Sequence, residues 1–328
     1  MDESSNRMRG SMRPRPTNLL IWVVAFACAL GVRPASADDI GAGEIEVGPP
    51  ADAAPLWEAI DPVFQRQLEQ RLDTLGFAPA IRDKDLAVAV VDITDVNAPR
   101  VAQVNGDVMI YAASLPKIAI LLAAFERIEE GELELTKENE HLLHLMIQRS
   151  SNRAATTMMD RVGKEYIAEV LRSPEYRLYD VTHNGGLWAG KDYGKAGLWR
   201  RDPLHNLSHG ATAMQVARFY YMLETGELVD DEASRKMKGI LSHSYIKHKF
   251  VKALDRIDPQ AAIYRKSGTW QQWHADSAIV ERDGRRYIAV GLCEDSQGGR
   301  WLERIFHVMD AMVMESPSTR VATAEIDE

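Results

Sequence analysis

A serine and a lysine stand three residues apart, and residues of these types at this spacing can perform nucleophilic catalysis. Ser114 and Lys117 lie at the start of an apolar run over residues 118–125. Residues three apart share one face of a helix, so the hydroxyl and the amine should lie about one turn apart. A serine hydroxyl needs a group that takes its proton, and a lysine can do so where burial lowers its pKa. The pair predicts a nucleophile and its general base.

Pro116 supports a helix start at this position, because proline lacks an N–H that the first helical turn would leave unpaired. At such a start, the Ser114 N–H is free to bind a negatively charged oxygen. The structural alternative is that Ser114 caps the helix and Lys117 is an ordinary helix-end cation. Ser-x-x-Lys is too short a pattern to decide between the two interpretations.

Hydrophobic patterns predict the elements that must position this pair. Besides the Ser114 helix, the predicted helices cover residues 57–75, 136–172 with breaks at 150–152 and 163, 211–224, 229–254 and 301–314. The predicted strands cover residues 85–92, 100–104, 262–266, 275–280 and 286–292. Because strands lie at both ends of the chain around a helical middle, we predict an α+β fold with one sheet built from distant segments. Residues 173–210 show no period, and their glycines and aromatic residues indicate a long structured loop, which is usually functional.

The first 37 residues have the features of a secretory signal peptide. Four arginines precede an apolar run over residues 19–30, and Ala35-Ser36-Ala37 offers a small-residue cleavage site. We expect cleavage after Ala37 and a secreted or periplasmic protein. An uncleaved anchor is the alternative, although the run is short for a membrane span.

Sequence composition divides the rest of the chain and excludes several classes of protein. Residues 38–56 are predicted to be a flexible leader, 57–316 a folded domain and 317–328 a C-terminal tail. Without residues 1–37 the chain has 34 Lys and Arg against 46 Asp and Glu, a net charge of −12, so no nucleic-acid partner is expected. Cys293 is then the single cysteine, which excludes an intramolecular disulfide. It falls in an apolar run, where a buried, unreactive thiol is expected.

Two further motifs follow the Ser114 helix in a particular order. Ser150-Ser151-Asn152 falls at a predicted helix junction, and Lys266-Ser267-Gly268-Thr269 ends a predicted strand. With Ser114 and Lys117 they resemble the Ser-x-x-Lys, Ser-Asp-Asn and Lys-Thr-Gly motifs of class A β-lactamases and penicillin-binding proteins. The resemblance covers roughly residues 57–314. It implies an antiparallel sheet of N- and C-terminal strands with an all-helical subdomain, as in β-lactamases and transpeptidases.

The resemblance also implies a role for each side chain of the first two motifs. Ser114 would form the acyl-enzyme, with Lys117 as its base. Ser150 would relay a proton between Lys117 and the leaving nitrogen, and Asn152 would hold a substrate carbonyl and orient Lys117. Helix capping is the structural alternative for Ser150 and Asn152.

The third motif would bind substrate. Lys266 would place a positive charge on an edge strand, and the Ser267 hydroxyl would bind a substrate carboxylate beside it. Gly268 would let substrate approach the backbone, and the Thr269 N–H would complete an oxyanion hole with the Ser114 N–H. For Lys266, a solvated strand end is the structural alternative.

The long loop departs from the family pattern. Class A β-lactamases hydrolyse the acyl-enzyme with water activated by a loop glutamate in a Glu-x-x-x-Asn setting, but no glutamate occurs here between Glu175 and Glu224. Asp202 precedes Asn206 at the same spacing and is predicted as the substitute base, although its side chain is one methylene shorter. The alternative is that His183-Asn184 takes the place of the glutamate. Deacylation is therefore predicted to be slow. Ser151 also replaces the usual aspartate, and Ser267 the usual threonine.

No metal or cofactor is predicted. His141 and His144 share a helical face, and His205 and His209 lie close in sequence, but neither pair has a third ligand at a recognisable spacing. We therefore expect an exported, monomeric serine hydrolase that forms an acyl-enzyme at Ser114 and acts on β-lactams or related amides and esters. The alternatives are a peptidoglycan D,D-peptidase-like enzyme and a non-catalytic protein that binds penicillin or cell-wall peptides.

Overall fold

The computed structural model describes residues 56–194 and 199–316. The predicted signal peptide, the leader up to residue 55 and the C-terminal tail lie outside the described residues. The described residues all belong to one compact unit. Leu56, which we assigned to the end of the leader, forms a short 3-10 helix, Leu56–Glu58, and packs in the core.

Ten α-helices lie within the described ranges. They are α1 (Pro62–Thr74), α2 (Ala78–Arg82), α3 (Lys117–Glu129), α4 (Lys137–Gln148), α5 (Asn152–Val162), α6 (Lys164–Arg172), α7 (Ala213–Thr225), α8 (Asp231–Leu241), α9 (Phe250–Ile257) and α10 (Gly298–Met314). The first helix begins at Pro62 and not at Trp57, because the Asp61 side chain accepts two backbone N–H bonds of its first turn. The predicted breaks at 150–152 and at Gly163 are confirmed. No helix among the described residues is long and apolar enough to cross a membrane.

Five long strands form one antiparallel sheet in the order β2-β1-β10-β9-β8. In chain order the strands are β1 (Leu86–Asp92), β2 (Arg100–Val104), β3 (Ile110–Tyr111), β4 (Tyr179–Asp180), β5 (Gly185–Gly186), β6 (Trp188–Ala189), β7 (His209–Ala211), β8 (Ala262–Trp270), β9 (Trp273–Arg282) and β10 (Arg285–Glu294). Because β1 pairs with β10, the N-terminal hairpin and the C-terminal strands share a sheet. The predicted α+β fold is therefore confirmed.

The sheet separates two hydrophobic cores. Every residue of β1 is buried, and its side chains alternate between the cores, as a period of two requires. On one face, Val88 and Val90 pack with apolar residues of α1, α9 and α10. On the other face, Ala87 and Ala89 pack with the helical subdomain, α3–α8. Helix α3 is buried there from Lys117 to Glu126, so its first turn is held rigidly behind the catalytic candidates.

The long loop is structured, as predicted, and it is tied to the chain just before Ser114. Strand β7 pairs with β6 inside the loop and with β3 outside it. The Ala112 N–H also donates to the His209 carbonyl at 3.0 Å. The path of the loop is thus fixed against the segment that carries the serine.

Cys293 is fully buried, with a free thiol. Burial raises its pKa to about 12, so the thiolate is not populated near neutral pH. The expected burial of this thiol is confirmed.

Candidate active site

The three motifs converge around one buried amine. Lys117 Nζ lies 3.1 Å from Ser114 Oγ, 2.7 Å from the Ser150 carbonyl oxygen and 2.9 Å from Asn152 Oδ1. Lys266 Nζ reaches the same group, 3.0 Å from Ser150 Oγ. Ser114 itself lies in the turn before α3 and not in its first turn, since the helix begins at Lys117. The predicted proximity of nucleophile and amine is nevertheless present.

The surroundings of Lys117 suit a general base. Its side chain is 0% exposed, and burial lowers its pKa to about 7. Carbonyl oxygens can only accept, so the Ser150 and Asn152 oxygens take both N–H groups of the neutral amine. The lone pair is then left for the hydroxyls of Ser114 and Ser150, the latter at 3.3 Å. Burial is the cause of the lowered pKa, and among the described residues no carboxylate counteracts it.

Ser150 is held between two amines by an unusual backbone conformation. Its φ of +53° lies in the left-handed region, which is uncommon for a residue other than glycine and typical of functional turns. The helix-capping role belongs to its neighbour, because Ser151 Oγ accepts from the Ala154 N–H at 3.2 Å. Ser150 Oγ is thereby left to connect Lys117 and Lys266, as a proton relay requires.

Lys266 and Ser267 are buried and are not among the residues that line the pocket beside Ser114. Lys266 is 1% exposed, so the solvated-strand-end alternative is wrong. Burial, with a smaller contribution from the nearby Lys117 charge, lowers its pKa well below the usual value. Its Nζ also donates to the Ser267 carbonyl at 2.6 Å. In this arrangement Lys266 contacts Ser150, and the predicted binding of a substrate carboxylate by Lys266 and Ser267 stays a prediction.

Gly268 allows the edge strand β8 to contact the turn that carries Ser114. A Cβ at this position would lie 2.0 Å from the Ala112 carbonyl oxygen and 2.9 Å from the Ser114 nitrogen. Glycine is therefore required so that β8 and the Ser114 turn can touch. Its role is this backbone contact, in addition to the access for substrate that the motif predicted.

The Thr269 N–H points toward the open edge of the sheet. Lys249 Nζ donates to the carbonyl oxygens of Gly268 (2.6 Å) and Ala275 (3.0 Å), which face each other across β8 and β9. Because these two carbonyls point toward each other, Gly268 and Ala275 form a hydrogen-bonded pair of the antiparallel ladder. Hydrogen-bonded and non-hydrogen-bonded pairs alternate, so in the next pair, Thr269 and His274, the N–H and C=O groups point away from the partner strand. Since β8 is the last strand of the sheet, the Thr269 N–H is available to a ligand.

A cavity of about 460 Å³ lies beside Ser114. Its lining residues are Tyr111, Ala113, Ser114, Asn152, Lys191, Tyr193, Gly194, His209, Thr269 and Trp270. Four predicted site residues, Ser114, Asn152, Thr269 and, beneath them, Lys117, are thus brought to one pocket. The aromatic and basic lining residues were not predicted as site residues.

Tyr193 and His209 form a stacked pair on the loop side of the pocket. Their rings are parallel within 9°, with centroids 4.2 Å apart. The Tyr193 ring also lies 4.6 Å from Lys117 Nζ. Gly194, with φ +91°, packs against Asn152, where a Cβ would meet the asparagine Cβ at 3.4 Å. Among the loop residues that the structure describes, an aromatic ring and not a carboxylate therefore faces the amine.

Both members of this pair are uncharged near neutral pH. Burial, and then Lys191 and Lys117, lower the pKa of His209 to about 3. Burial raises the pKa of Tyr193 well above its usual value. Among the described residues neither the His209 nitrogens nor the Tyr193 hydroxyl has a hydrogen-bond partner. The aperiodic sequence of the loop offered no signal for this stack beyond the presence of the two residues.

The structure does not bring Asp202 to the Ser114 cluster. Its carboxylate is buried and organises the loop: Oδ1 accepts from the Tyr179 hydroxyl (2.9 Å) and the His205 N–H (2.9 Å), and Oδ2 from the Leu207 N–H (2.6 Å). A carboxylate occupied by these donors and absent from the pocket lining has no access to water at the ester. The prediction of Asp202 as a base is not supported.

The alternative base position fails for a similar reason. The His183 ring contacts the Trp57 ring, with centroids 4.3 Å apart, and the Asn184 side chain donates to the Asp107 carbonyl at 2.9 Å. Neither residue lines the pocket. His205 contacts Asn184 and is exposed, whereas His209 is buried, so these two histidines do not form a pair. Within the described ranges, no group of three potential metal ligands is found.

The arrangement provides the parts for acyl transfer: a hydroxyl beside a neutral amine, a relay hydroxyl, and two backbone N–H groups near the nucleophile. Relatives in fold have the same architecture. A beta-lactamase from Sphaerobacter thermophilus DSM 20745 superimposes with a TM-score of 0.58 at 17% identity over 75% of this chain and 99% of that one. A class A beta-lactamase from Bacteroides cellulosilyticus DSM 14838 gives 0.58 and 15% over 77% and 99%.

A mutant of PBP-A in an acyl-enzyme complex with penicillin G gives a TM-score of 0.57 at 18% identity over 78% of this chain and 97% of that one. At these identities the likeness establishes the fold alone. No curated protein sequence matches significantly. A sequence model of a family described as the beta-lactamase enzyme family, however, matches residues 67–140 and 138–305. Since that match spans most of the chain and contains all three converging motifs, the protein belongs to the beta-lactamase enzyme family.

Proposed function

We propose that this protein is a serine hydrolase that is acylated at Ser114 by β-lactams or related amides and esters and that releases the acyl group slowly. The observation that carries the proposal is the position of the Lys117 amine, 3.1 Å from Ser114 Oγ in a site that lowers its pKa to about 7. A lysine in this state can accept a proton at neutral pH, which an ordinary lysine does not.

Acylation then follows from the contacts. The neutral Lys117 amine takes the Ser114 proton while Oγ attacks the carbonyl carbon, and the oxyanion forms beside the N–H groups of Ser114 and Thr269. The C–N bond breaks as the proton moves from Lys117 through the Ser150 hydroxyl to the leaving nitrogen. Lys117 is thereby returned to the neutral state, and Ser114 carries an ester.

Slow release follows from the loop. Hydrolysis of the ester needs a water molecule and a group that takes its proton. The loop side of the pocket presents the Tyr193 ring and the uncharged His209, and the Asp202 carboxylate is occupied elsewhere. Since the described residues that line the pocket include no carboxylate, water is poorly activated and the adduct should persist.

A D,D-peptidase-like activity on cell-wall peptides is the second candidate. A second cavity of about 490 Å³ shares Tyr111, Lys191 and Trp270 with the Ser114 pocket. It extends the cleft enough for a longer substrate. Its charged lining residues are Lys84, Lys191, Arg201 and Glu294, so the cleft is more basic than the chain as a whole. Export, proposed from the N-terminal sequence, would place the protein where such substrates occur.

Intact-mass spectrometry after mixing with benzylpenicillin tests the proposal. The wild type should gain the mass of one penicillin and keep it for minutes or longer. Ser114→Ala should gain none, because the nucleophilic oxygen is gone. Release of D-alanine from a peptide that ends in D-Ala-D-Ala would identify the second candidate.

The adjacent serines offer a matched control. Ser150→Ala should slow adduct formation strongly, whereas Ser151→Ala removes a helix cap, should cost about 1 kcal/mol of stability and should keep acylation. An adduct that forms equally in Ser114→Ala would refute the nucleophile. Rapid turnover by the wild type would refute slow release, and no adduct in any variant would indicate a non-catalytic binding protein.

A further inference from the structure

A buried lysine contacts β8 without being among the residues that line the Ser114 pocket. Lys249 precedes α9 and is 3% exposed. Its Nζ has three acceptors: the Gly268 carbonyl oxygen at 2.6 Å, Thr269 Oγ1 at 2.8 Å and the Ala275 carbonyl oxygen at 3.0 Å. An ammonium has three N–H donors, so this set of acceptors fits the protonated side chain without leaving a donor unpaired.

The contact with the Gly268 carbonyl links Lys249 to the Ser114 pocket through a single peptide group. The Gly268 carbonyl and the Thr269 N–H belong to the same peptide, and that N–H points to the open edge of the sheet. A charge-assisted hydrogen bond at the carbonyl polarises the peptide and makes its N–H a stronger donor. The close contact of Gly268 with the Ser114 nitrogen brings this peptide near the other oxyanion donor.

We propose that Lys249 is a positioning residue of the oxyanion hole, which holds and polarises the Gly268–Thr269 peptide so that the Thr269 N–H stabilises negative charge on the acyl carbonyl oxygen. The inference rests on the proposed acylation at Ser114. Lys249 lies outside the three motifs and does not contact substrate, but it contributes to the stabilisation of the transition state.

The backbone of Lys249 supports a requirement for this side chain. Its φ of +52° and ψ of −118° are strained for any residue except glycine. The strain is maintained by the next residue, because the Phe250 N–H donates to Asp276 Oδ2 at 3.1 Å. Asp276 in turn is fixed by a buried ion pair with Arg265. The fold thus holds a lysine where glycine would be easier to accommodate.

The charges around Lys249 leave a net positive charge behind the strand. The titratable groups that influence it are Asp276 and His274 on β9, Arg265 and Lys266 on β8, His248 beside it in the chain and Cys293 on β10. Asp276 is the single carboxylate among them and is shared with Arg265. Although burial lowers the pKa of Lys249 to about 8, the ammonium still predominates at pH 7. A positive charge on this side of the peptide favours an oxyanion on the other side.

Two substitutions at Lys249 separate the effect of losing the ammonium from the effects of changed packing and backbone strain. Lys249→Met keeps most of the side chain and the backbone strain, whereas Lys249→Gly relieves the strain and leaves a cavity. Lys238→Met is the matched control: Lys238 is partly buried between Glu224 (2.8 Å) and Glu281 (2.7 Å), away from the pocket. Any effect common to the two Lys249 variants and absent from the control reports the ammonium.

The experiment measures acylation by benzylpenicillin over a range of concentrations, which separates the acylation rate constant from the dissociation constant. In both Lys249 variants we expect the rate constant to fall about 5–50-fold with little change in the dissociation constant. This is less than the 10²–10³-fold typical of losing a donor outright, because the N–H remains. The stretching band of the carbon-13-labelled ester carbonyl in the acyl-enzyme should also shift to higher wavenumber, since its hydrogen bonds are weaker.

Unchanged rate constants and an unchanged carbonyl band in either folded Lys249 variant would overturn the role of Lys249 while leaving acylation at Ser114 intact. An effect confined to the dissociation constant would overturn it equally. If the wild type forms no adduct, the proposed function itself fails, and this inference fails with it.

Discussion

The acylation rate should depend on pH through the ionisation of Lys117. Burial penalises its ammonium form and lowers its pKa to about 7, so the amine becomes neutral, and active as a base, as the pH rises through that value. At pH 6 about one tenth of the molecules carry the neutral amine, and at pH 8 about nine tenths. Acylation should therefore rise about tenfold between these values and level off.

An ordinary lysine predicts a different curve. With a pKa of about 10.4, the neutral fraction stays below about 1% up to pH 8 and grows tenfold per unit, so the rate would rise about a hundredfold from pH 6 to pH 8 without curvature. His209 does not interfere, because its pKa is lowered to about 3. The shape of the curve thus reports the environment of Lys117.

Stopped-flow measurement with a chromogenic cephalosporin from pH 5.5 to pH 8 provides the assay. Lys117→Ala is the control: it should lower the rate about 10²–10⁴-fold and remove the inflection. An inflection that persists in this variant would assign it to another group, Lys266 first, since that amine also contacts Ser150. A rate that is flat, or that rises a hundredfold without levelling, would refute the reasoning.

Three further predictions follow from other parts of the molecule. Asp202→Asn should lower the free energy of unfolding in urea by about 1–3 kcal/mol, because the charge-assisted hydrogen bonds that organise the loop are lost. It should leave the lifetime of the adduct unchanged, and a longer lifetime would restore Asp202 as a base. Carbenicillin differs from benzylpenicillin by a side-chain carboxylate and should acylate the protein about 3–10-fold faster at low salt, because three cations line the second cavity. This advantage should disappear near about 1 M NaCl, where the charges are screened. Equal rates for the two penicillins at low salt would contradict the effect. The exported protein should begin near Asp38 by N-terminal sequencing, and an intact N-terminus would indicate a retained anchor.

The sequence alone determined the five long strands, most helices and the three motifs, but not the short strands β3–β7. These features are local: β1 is an unbroken apolar run, and helices α4–α6 are separated by breaks that the sequence marks. The closeness of Ser114 and Lys117 is a consequence of their separation by three residues. Such features depend on a few neighbours in the chain, so their periods and turn residues suffice to predict them.

Only the tertiary structure decided what surrounds the amine. Asp202 had the right residue type and spacing, but in the folded loop its carboxylate accepts hydrogen bonds from backbone N–H groups. The loop instead places the Tyr193 ring over Lys117. Lys249 belongs to no motif, and its contact with Gly268 joins segments 19 residues apart. The role of a polar side chain depends on which donors and acceptors the folded chain brings to it. In an aperiodic loop, long-range packing makes that choice, and no local pattern records it.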